Sequence, residues 1–577
     1  MAATLRQPVP HRQAVKVLTF RDCGTKVARG KAAGRGKGQG MDDWWRGSVT
    51  YQVYPRSFQD SDGDGIGDLA GITARLGYLA DLGVDAVWLS PVFRSPMADM
   101  GYDVSDYTDI DPLFGTLAAF DALVATAHEL GLKVIIDQVV SHSAAAHPYF
   151  QESRRDRVNP RANWYVWADP NPDGSPPNNW LSVFGGPAWE WEPRRRQYYF
   201  HNFLPSQPDF NFHHKDVQDW LLSTMEFWLK RGVDGFRLDT VNYYFHDISL
   251  RPNPPRRRPV DLPEVNPNDM QDHVHSKNRP ETPVFLERIR SLLNRYQGRA
   301  MVGEVGESGA RAVAIMAEYT VGGNRLHMAY SFEMLSPVFN AQQFRSCIEG
   351  FFRGAPDGWP AWAFSNHDVI RHATRWQEHD AGGDALARLA AAMLLSFQGS
   401  VCLYQAEELG QTESDILFEE LTDPPAFAFW PDYKGRDGCR TPMVWDAGPQ
   451  GGFTTGTPWL PVKPPQAARH VAGQAGDPAS VLSFYRAMLA FRRSQPALRT
   501  GATRFLDVPE PVLAYVRGQG TGAVLCLFNL SPKAIGISVT GAGAAIGPMS
   551  AGGPERLGPN GFVFLRAGDE ADVKVTP

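Results

Sequence analysis

Gly232-Val233-Asp234-Gly235-Phe236-Arg237-Leu238-Asp239 follows an amphipathic run, Asp216 to Arg231, whose Trp220, Leu221, Met225, Phe227, Trp228 and Leu229 suit a helix packed on a sheet. Gly232 ends that helix, and Val233 to Val241 reads as a buried strand. Side chains alternate on a strand, so Arg237 and Asp239 share one face while Phe236 and Leu238 take the other. A neighbouring guanidinium lowers a carboxyl pKa, so Asp239 is expected to be ionised at neutral pH. An oriented, ionised carboxylate is what a nucleophile needs. The same pair reads equally as a structural ion pair inside a barrel, because structural pairs perturb pKa values too.

On either side of this stretch, short apolar strands alternate with amphipathic helices. The strands are read at Val49–Tyr54, Ala86–Ser90, Lys133–Val139, Gly235–Thr240, Ala300–Glu304, Leu326–Phe332, Ala361–Ser365 and Ser400–Gln405. Helical patterns lie between them, at Leu69–Asp81, Leu117–Leu130, Pro283–Tyr296, Ala341–Phe352 and Gly383–Ser396 among others. This alternation is that of an α/β protein, a (β/α)8 TIM barrel. Residues 143–205, rich in Trp, Pro and Asn, read as a small domain inserted after the third strand. Residues 242–280 form a second long excursion on the same rim. Beyond Arg499, short β runs separated by Gly and Pro indicate a C-terminal β-sandwich domain, residues 499–577. The barrel is therefore assigned to 41–142 and 206–498. Residues 1–40 carry nine Lys or Arg against the single acid Asp22, end in a Gly-rich run and lack an apolar signal core. They read as a disordered basic extension.

The 577 residues, with 43% hydrophobic residues and a net charge of −6, are ample for a large core and argue against nucleic acid as a partner. No apolar run of about 18 residues predicts a membrane span. Five scattered cysteines without a C-x-x-C pattern suit a reducing, cytoplasmic setting. Sixteen Trp, 18 Tyr and 32 Phe fit sugar handling, in which apolar ring faces stack, although a large core uses aromatics as well.

Reactive groups in such barrels sit where strands end. Those positions hold Asp137 and His142 after the third strand, Asp239 after the fourth, Glu304 after the fifth, and Asn366-His367-Asp368 with Arg371 after the seventh. Several acids gathered at one rim repel one another, which favours chemistry over stability as their reason.

With these residues in view, the chain resembles glycoside hydrolase family 13, the α-amylase family, and within it the oligosaccharide α-glucosidases. The matching stretches are Gln52 to Phe58, Gly101-Tyr102-Asp103, Asp137 to His142, Gln207-Pro208-Asp209, Gly235 to Asp239, Gly303-Glu304, Ser365 to Asp368 and Gly435 to Pro442. The resemblance implies Asp239 as nucleophile, Glu304 as acid/base and Asp368 as the third carboxylate. It further implies that Arg237, His142 and His367 serve the substrate site, that Tyr102 stacks under the terminal glucose, and that Asp103 and Arg371 pair to hold its far hydroxyls. Ser141 stands where the family often has Asn, so no calcium is assigned there. Thr240, next to the nucleophile, is implied to favour α-1,4 over α-1,6 linkages; on a continuing strand it faces away from Asp239.

The expected activity is that of a retaining, exo-acting α-glucosidase on short α-1,4 oligosaccharides such as maltose, with transfer to sugar or alcohol acceptors and no organic cofactor. The alternatives are an oligo-1,6-glucosidase, a sucrose-acting or isomerising relative, and a non-catalytic homologue. The chain keeps its acids, and the Arg-Leu-Asp-Arg-Asp loop associated with isomerisation is absent. Separately, Asp60-Ser61-Asp62-Gly63-Asp64-Gly65-Ile66-Gly67-Asp68 resembles the first part of an EF-hand loop. Asp60, Asp62, Asp64, the Ile66 carbonyl and Asp68 are expected to hold a structural calcium, with magnesium the alternative ion.

Overall fold

The computed structural model describes residues 43–256, 265–550 and 552–576, so the expected basic extension at 1–40 lies outside the described residues. Eight strands build the central sheet: β1 (Val49–Val53), β2 (Ala86–Leu89), β3 (Lys133–Gln138), β4 (Gly235–Leu238), β5 (Ala300–Val305), β6 (Met328–Ser331), β7 (Ala361–Trp362) and β8 (Ser400–Tyr404). Each overlaps the stretch expected from the sequence. Their order is β6-β5-β4-β3-β2-β1-β8-β7. The paired strands run parallel. A bridge between Ala329 and Pro360 joins β6 to the start of β7, closing the barrel.

Period-two alternation divides the barrel wall into two cores. Val87, Leu89, Val134, Ile136, Phe236, Leu238, Met301 and Leu403 face outward into the main core shared with the helices. Trp88, Ile135, Val302, Met328, Tyr330, Ala361 and Cys402 fill the interior. Arg237 lies among the interior set, its guanidinium 5.0 Å from the centre of the Trp88 ring. The helix Lys215–Lys230 buries Val217, Leu221, Met225, Trp228 and Leu229 against the outer face. Gly232, at φ +96°, turns the chain from that helix into β4. Gly235 has no room for a side chain: a Cβ there would lie 2.1 Å from the Ala300 carbonyl oxygen of β5.

After β3, Trp167–Ala168, Gln197–Phe200 and Trp189–Glu192 form a three-stranded antiparallel sheet. Trp180, Trp189 and Phe200 sit at its centre. The excursion after β4 is pinned to this insert by side chains. Asn178 Nδ2 donates to the Leu250 carbonyl at 3.0 Å and Trp180 Nε1 to that of Arg251 at 2.9 Å. Asn266 Nδ2 reaches the Val183 carbonyl at 2.7 Å and Asn268 Nδ2 that of Leu181 at 3.0 Å. Asparagine serves here because its amide supplies donors to backbone carbonyls that no strand neighbour satisfies.

The C-terminal region is one hydrogen-bonded sheet of seven strands, antiparallel in its pairings. Leu513, Tyr515, Cys526, Phe528 and Phe564 pack into the main core. The alternate residues Val512, Ala514, Val516, Leu525 and Leu527 pack with Ile537, Leu557 and Val573 in a core of their own. Register shifts between Thr540 and Ala545 bend the long strands. The sheet thus folds over its own core as a sandwich does. Among the described residues, no helix is long and apolar enough to cross a membrane.

Candidate active site

Arg237 is the centre of the barrel's charge. Its Nη1 lies 2.8 Å from Asp137 and 2.6 Å from Asp239, and its Nη2 is 2.7 Å from Glu304. Tyr330 donates its hydroxyl to Glu304 Oε1 at 3.0 Å. Three strand ends, those of β3, β4 and β5, therefore bring their acids to one guanidinium. Arg237 is fully buried beneath them and is not among the residues lining the cavity; in this structure its guanidinium holds the acids in place.

Burial raises Asp239 to about 7, outweighing the attraction of Arg237, and Asp137 and Asp368 add to the rise. The lowering expected from Arg237 alone is thus overcome by desolvation. Burial likewise raises Glu304 to about 7, helped by Asp239 and Asp368, and raises Asp137 to about 6. Each of these acids is raised partly by another acid's charge, so their proton affinities are linked. Asp368 goes the other way. Burial pushes it up, but the His367 ring, Arg436 and Arg440 hold it well below the usual carboxylate range.

His367 stands behind this group. Gln52 Nε2 donates to its Nδ1 at 2.8 Å, which places the ring proton on Nε2. That nitrogen is 2.5 Å from the Tyr102 hydroxyl and 3.3 Å from Asp368 Oδ2. The rings of Tyr102 and His367 stack with centres 5.2 Å apart and planes 10° apart. Burial lowers His367 to about 3 and His142 to about 4, so both are neutral. His142 donates from Nε2 to the Tyr102 carbonyl at 2.9 Å, and its Nδ1 lies 2.9 Å from the Ser141 hydroxyl.

The structure does not bring Asp103 and Arg371 into the cavity. Asp103 turns back on its own loop and accepts from Ser95 Oγ at 2.8 Å, the Ala98 amide at 2.9 Å and the Asp99 amide at 3.0 Å. Arg371 is spent on the Gln405 and Cys439 carbonyls, at 2.8 and 2.9 Å. Asp99 and Arg436 line the cavity instead, joined at 2.7 Å, with Arg436 Nη1 3.3 Å from Asp368 Oδ1. Arg440 Nη2 reaches the same Asp368 oxygen at 3.0 Å. The signal was present: Arg436 lies in the Gly435–Pro442 stretch, and Asp99 stands three residues before Tyr102. Two carboxylates four residues apart on one loop cannot be told apart until the loop folds. Gln207 was also missed as a site residue; its Nε2 donates to Asp99 Oδ2 at 3.0 Å.

Thr240 departs from its expected orientation. β4 ends at Leu238, and Thr240 takes a left-handed conformation, φ 43° and ψ 50°. Its amide donates to Glu304 Oε2 and its hydroxyl to Asp239 Oδ2, each at 3.2 Å. Ser141 Oγ is 3.2 Å from the same hydroxyl.

Above these acids opens a cavity of about 460 Å³. Tyr102, His142, Asp239, Thr240, Glu304, His367 and Asp368 line it, and Asp99 and Arg436 stand among them. Val183, Phe184 and Phe203 of the insert, Tyr243, Val265, Asn266 and Asp269 of the second excursion, and Phe429 and Tyr433 after β8 complete its walls.

The acidic loop has a donor set that suits a hard cation. Asp60, Asp62 and Asp68 offer carboxylate oxygens within 4.8 Å of one another. Asp64 stands outside that group, its Oδ1 accepting from the Ile66 amide at 2.8 Å. The loop is also clasped from outside, because Thr454 donates to Asp60 Oδ2 at 2.5 Å and the Trp459 amide to the Gly65 carbonyl at 3.0 Å.

Residues 52–501 match the family model described as the alpha amylase catalytic domain. The chain is 56% identical over 497 residues to a probable alpha-glucosidase of Rhizobium meliloti (strain 1021), which covers 85% of this chain and 90% of that protein. It is 35% identical over 535 residues to an oligo-1,6-glucosidase of Heyndrickxia coagulans, covering 86% of this chain and 93% of the relative. Among solved structures, the α-glucosyl transfer enzyme XgtA superposes with a TM-score of 0.86 at 50% identity, over 91% of this chain and 99% of that one.

Proposed function

Because the chain belongs to the α-amylase family, glycoside hydrolase family 13, in its oligosaccharide α-glucosidase branch, we propose that it is a retaining, exo-acting α-glucosidase on short α-1,4 oligosaccharides. The observation that carries this reading is that Asp239 and Glu304 both contact the guanidinium of Arg237, at 2.6 and 2.7 Å. The same two carboxyls are also tied to one turn, the Thr240 amide reaching Glu304 and its hydroxyl reaching Asp239, which supports a close pair. A spacing of about 5 Å is that of a retaining pair.

In this reading Asp239, held by Arg237 and the Thr240 hydroxyl, attacks the anomeric carbon in the form in which the proton shared by the two acids sits on Glu304, which gives it to the departing oxygen. A covalent glucosyl-enzyme forms. Glu304, now ionised, takes a proton from water or from an acceptor hydroxyl, and that oxygen displaces Asp239. Asp368, held ionised by Arg436 and Arg440, accepts from ring hydroxyls, contacts that tighten as the sugar flattens. The Asp99–Arg436 bridge beside Asp368 supports an end-on pocket for one terminal glucose, which gives exo-action. The aromatic walls favour short substrates. The likeness to an α-glucosyl transfer enzyme supports transfer to sugars and alcohols beside hydrolysis.

Proton NMR of the first turnovers, with maltotriose labelled at its reducing end, tests the proposal. The expected result is unlabelled glucose released first as the α-anomer, leaving labelled maltose. Release of β-glucose, or of labelled glucose first, contradicts it.

A further inference from the structure

Lys277 is a buried cation that the reaction scheme above leaves unused. It lies on the excursion after β4, close to the acid/base strand. Its Nζ donates to the Tyr243 hydroxyl at 3.1 Å and the Gly306 carbonyl at 2.8 Å, and stands 3.4 Å from Glu307. Asn278, beside it, donates to Glu307 at 2.7 Å and accepts from Asn242 Nδ2 at 2.8 Å. Asn242 in turn accepts from the Gly306 amide at 2.9 Å. Three segments that leave the barrel separately are thus joined at one ammonium group: the turn after Asp239, the far end of the excursion, and the turn after Glu304.

Two of the held residues, Tyr243 and Gly306, line the cavity with Glu304. The Tyr243 ring lies 5.5 Å from that of Phe203, another wall residue. The fit leaves little slack, since a Cβ on Gly306 would lie 2.8 Å from Tyr243 Cε2. A buried ammonium with three oxygen partners is expensive to move, so its position fixes theirs. Asp99, Arg436 and Asp368 mark the terminal-sugar end of the pocket. Tyr243 stands beside Gly306 and Glu304, the group that serves the departing oxygen, and so borders the leaving-group side.

We infer that Lys277 is a positioning residue for the leaving-group and acceptor side of the pocket. It anchors the Tyr243 hydroxyl so that the ring forms a fixed wall against which the departing or attacking sugar hydroxyl is presented to Glu304. The inference rests on the α-glucosidase reading and extends it to the part of the substrate beyond the cleaved bond. Loss of the anchor harms steps that place a second sugar and spares a step that needs none.

The test compares Lys277→Met, Tyr243→Phe and the double variant on two substrates. Maltose needs a sugar on the far side of the bond, whereas α-glucosyl fluoride presents only a small ion that needs no proton. Each single variant is expected to lose about ten-fold in kcat/KM on maltose, and about five-fold in the ratio of transfer to hydrolysis at fixed maltose. Glucosyl fluoride turnover should stay within about two-fold of the parent. The double variant should lose no more than the worse single, because both substitutions break one contact. Tyr243→Phe keeps the ring and leaves Lys277 its other partners, so it serves where Lys277→Met does not fold. Equal losses on both substrates, or no loss on either, overturn the inference while leaving the glucosidase reading intact. A folded parent inert to both substrates overturns that reading and this inference with it.

Discussion

Thr240 donates its main-chain amide to Glu304 Oε2 at 3.2 Å, so the residue after one acid holds the carboxyl of the other. The left-handed turn at Thr240 makes this possible, since a continuing strand would give that amide to a neighbouring strand. The two acids are therefore aligned by backbone as well as by Arg237.

Asp239→Asn should abolish turnover with the fold intact, because an amide cannot attack the anomeric carbon. The loss should exceed about a thousand-fold in kcat. Glu304→Gln should lose comparably on maltose yet form a glucosyl-enzyme from α-glucosyl fluoride, visible as a mass increase on the intact protein. Parent-like maltose hydrolysis by Glu304→Gln contradicts the assignment.

The pH profile follows from Glu304, which burial raises to about 7. The active form carries a proton on Glu304 and none on Asp239, which burial also raises to about 7. So kcat/KM on maltose should peak near neutrality, falling at higher pH as Glu304 loses its proton and at lower pH as Asp239 gains one. With Glu304→Gln and glucosyl fluoride, the alkaline limb should vanish. A maltose profile flat to well above pH 8 would show that the acid is not held near neutrality.

The barrel, its eight strands and the three acids were legible because alternation and strand ends obey short-range rules. Arg237 and Asp239 share a face for that reason. What the sequence left ambiguous depended on loops closing in three dimensions. Asp103 and Asp99 differ only in which one the turn folds back to its own amides. Arg371 and Arg436 lie 65 residues apart, and nothing local in the sequence says which of them the fold sets beside Asp368. Thr240 was misdirected because nothing local announced that β4 stops at Leu238. The expected lowering of Asp239 counted a neighbour's charge but not the burial that outweighs it.

Glu407 predicts how stability changes with pH. It is buried, accepting from Tyr485 at 3.2 Å and from the Tyr404 amide at 3.3 Å, and burial raises it to about 8. Between its unfolded value near 4.5 and about 8, the folded state binds its proton more tightly than the unfolded state does. Stability from this group is therefore full below the unfolded value and is lost as pH rises. Glu407→Gln keeps the acceptor but cannot titrate. Its melting temperature should fall by several degrees less than the parent's between pH 6 and 9. Equal falls would count against the assignment.

Calcium at the Asp60–Asp68 loop is the next expectation. Three carboxylates within 4.8 Å repel one another without a cation, and Asp68 also caps the first barrel helix. An ion binding only the folded chain at a hundred times its dissociation constant adds about 2.7 kcal/mol. Chelation should lower the melting temperature by several degrees and change kcat on maltose by less than about two-fold, and Asp62→Asn should blunt the response to added calcium. No divalent ion by elemental analysis, with no response to calcium or magnesium, would remove the site.

Linkage preference should turn on Thr240. Its hydroxyl lies 3.2 Å from Asp239 Oδ2 and 3.2 Å from Ser141 Oγ, so it reaches the nucleophile directly and not through neighbours. Valine has nearly the same shape and lacks that oxygen. Thr240→Val therefore removes a hydrogen bond to Asp239 and puts a methyl group in its place at the cavity wall. A hydrogen bond to a charged group contributes about 1.5–3 kcal/mol, enough to move two competing transition states apart by roughly ten-fold or more. Thr240, Tyr243 and Phe203 line the cavity, and an α-1,6 bond gives the leaving sugar one more rotatable link than an α-1,4 bond, so the cost is expected to fall unequally on the two linkages. The parent is expected to favour maltose over isomaltose by about ten-fold in kcat/KM, and Thr240→Val to narrow or reverse that ratio. Thr240→Ser, which keeps the hydroxyl, should retain the parent's order. Equal rates on both sugars in the parent would refute the preference. A Thr240→Ser enzyme that behaves as Thr240→Val does would show that the methyl group, not the hydroxyl, sets it.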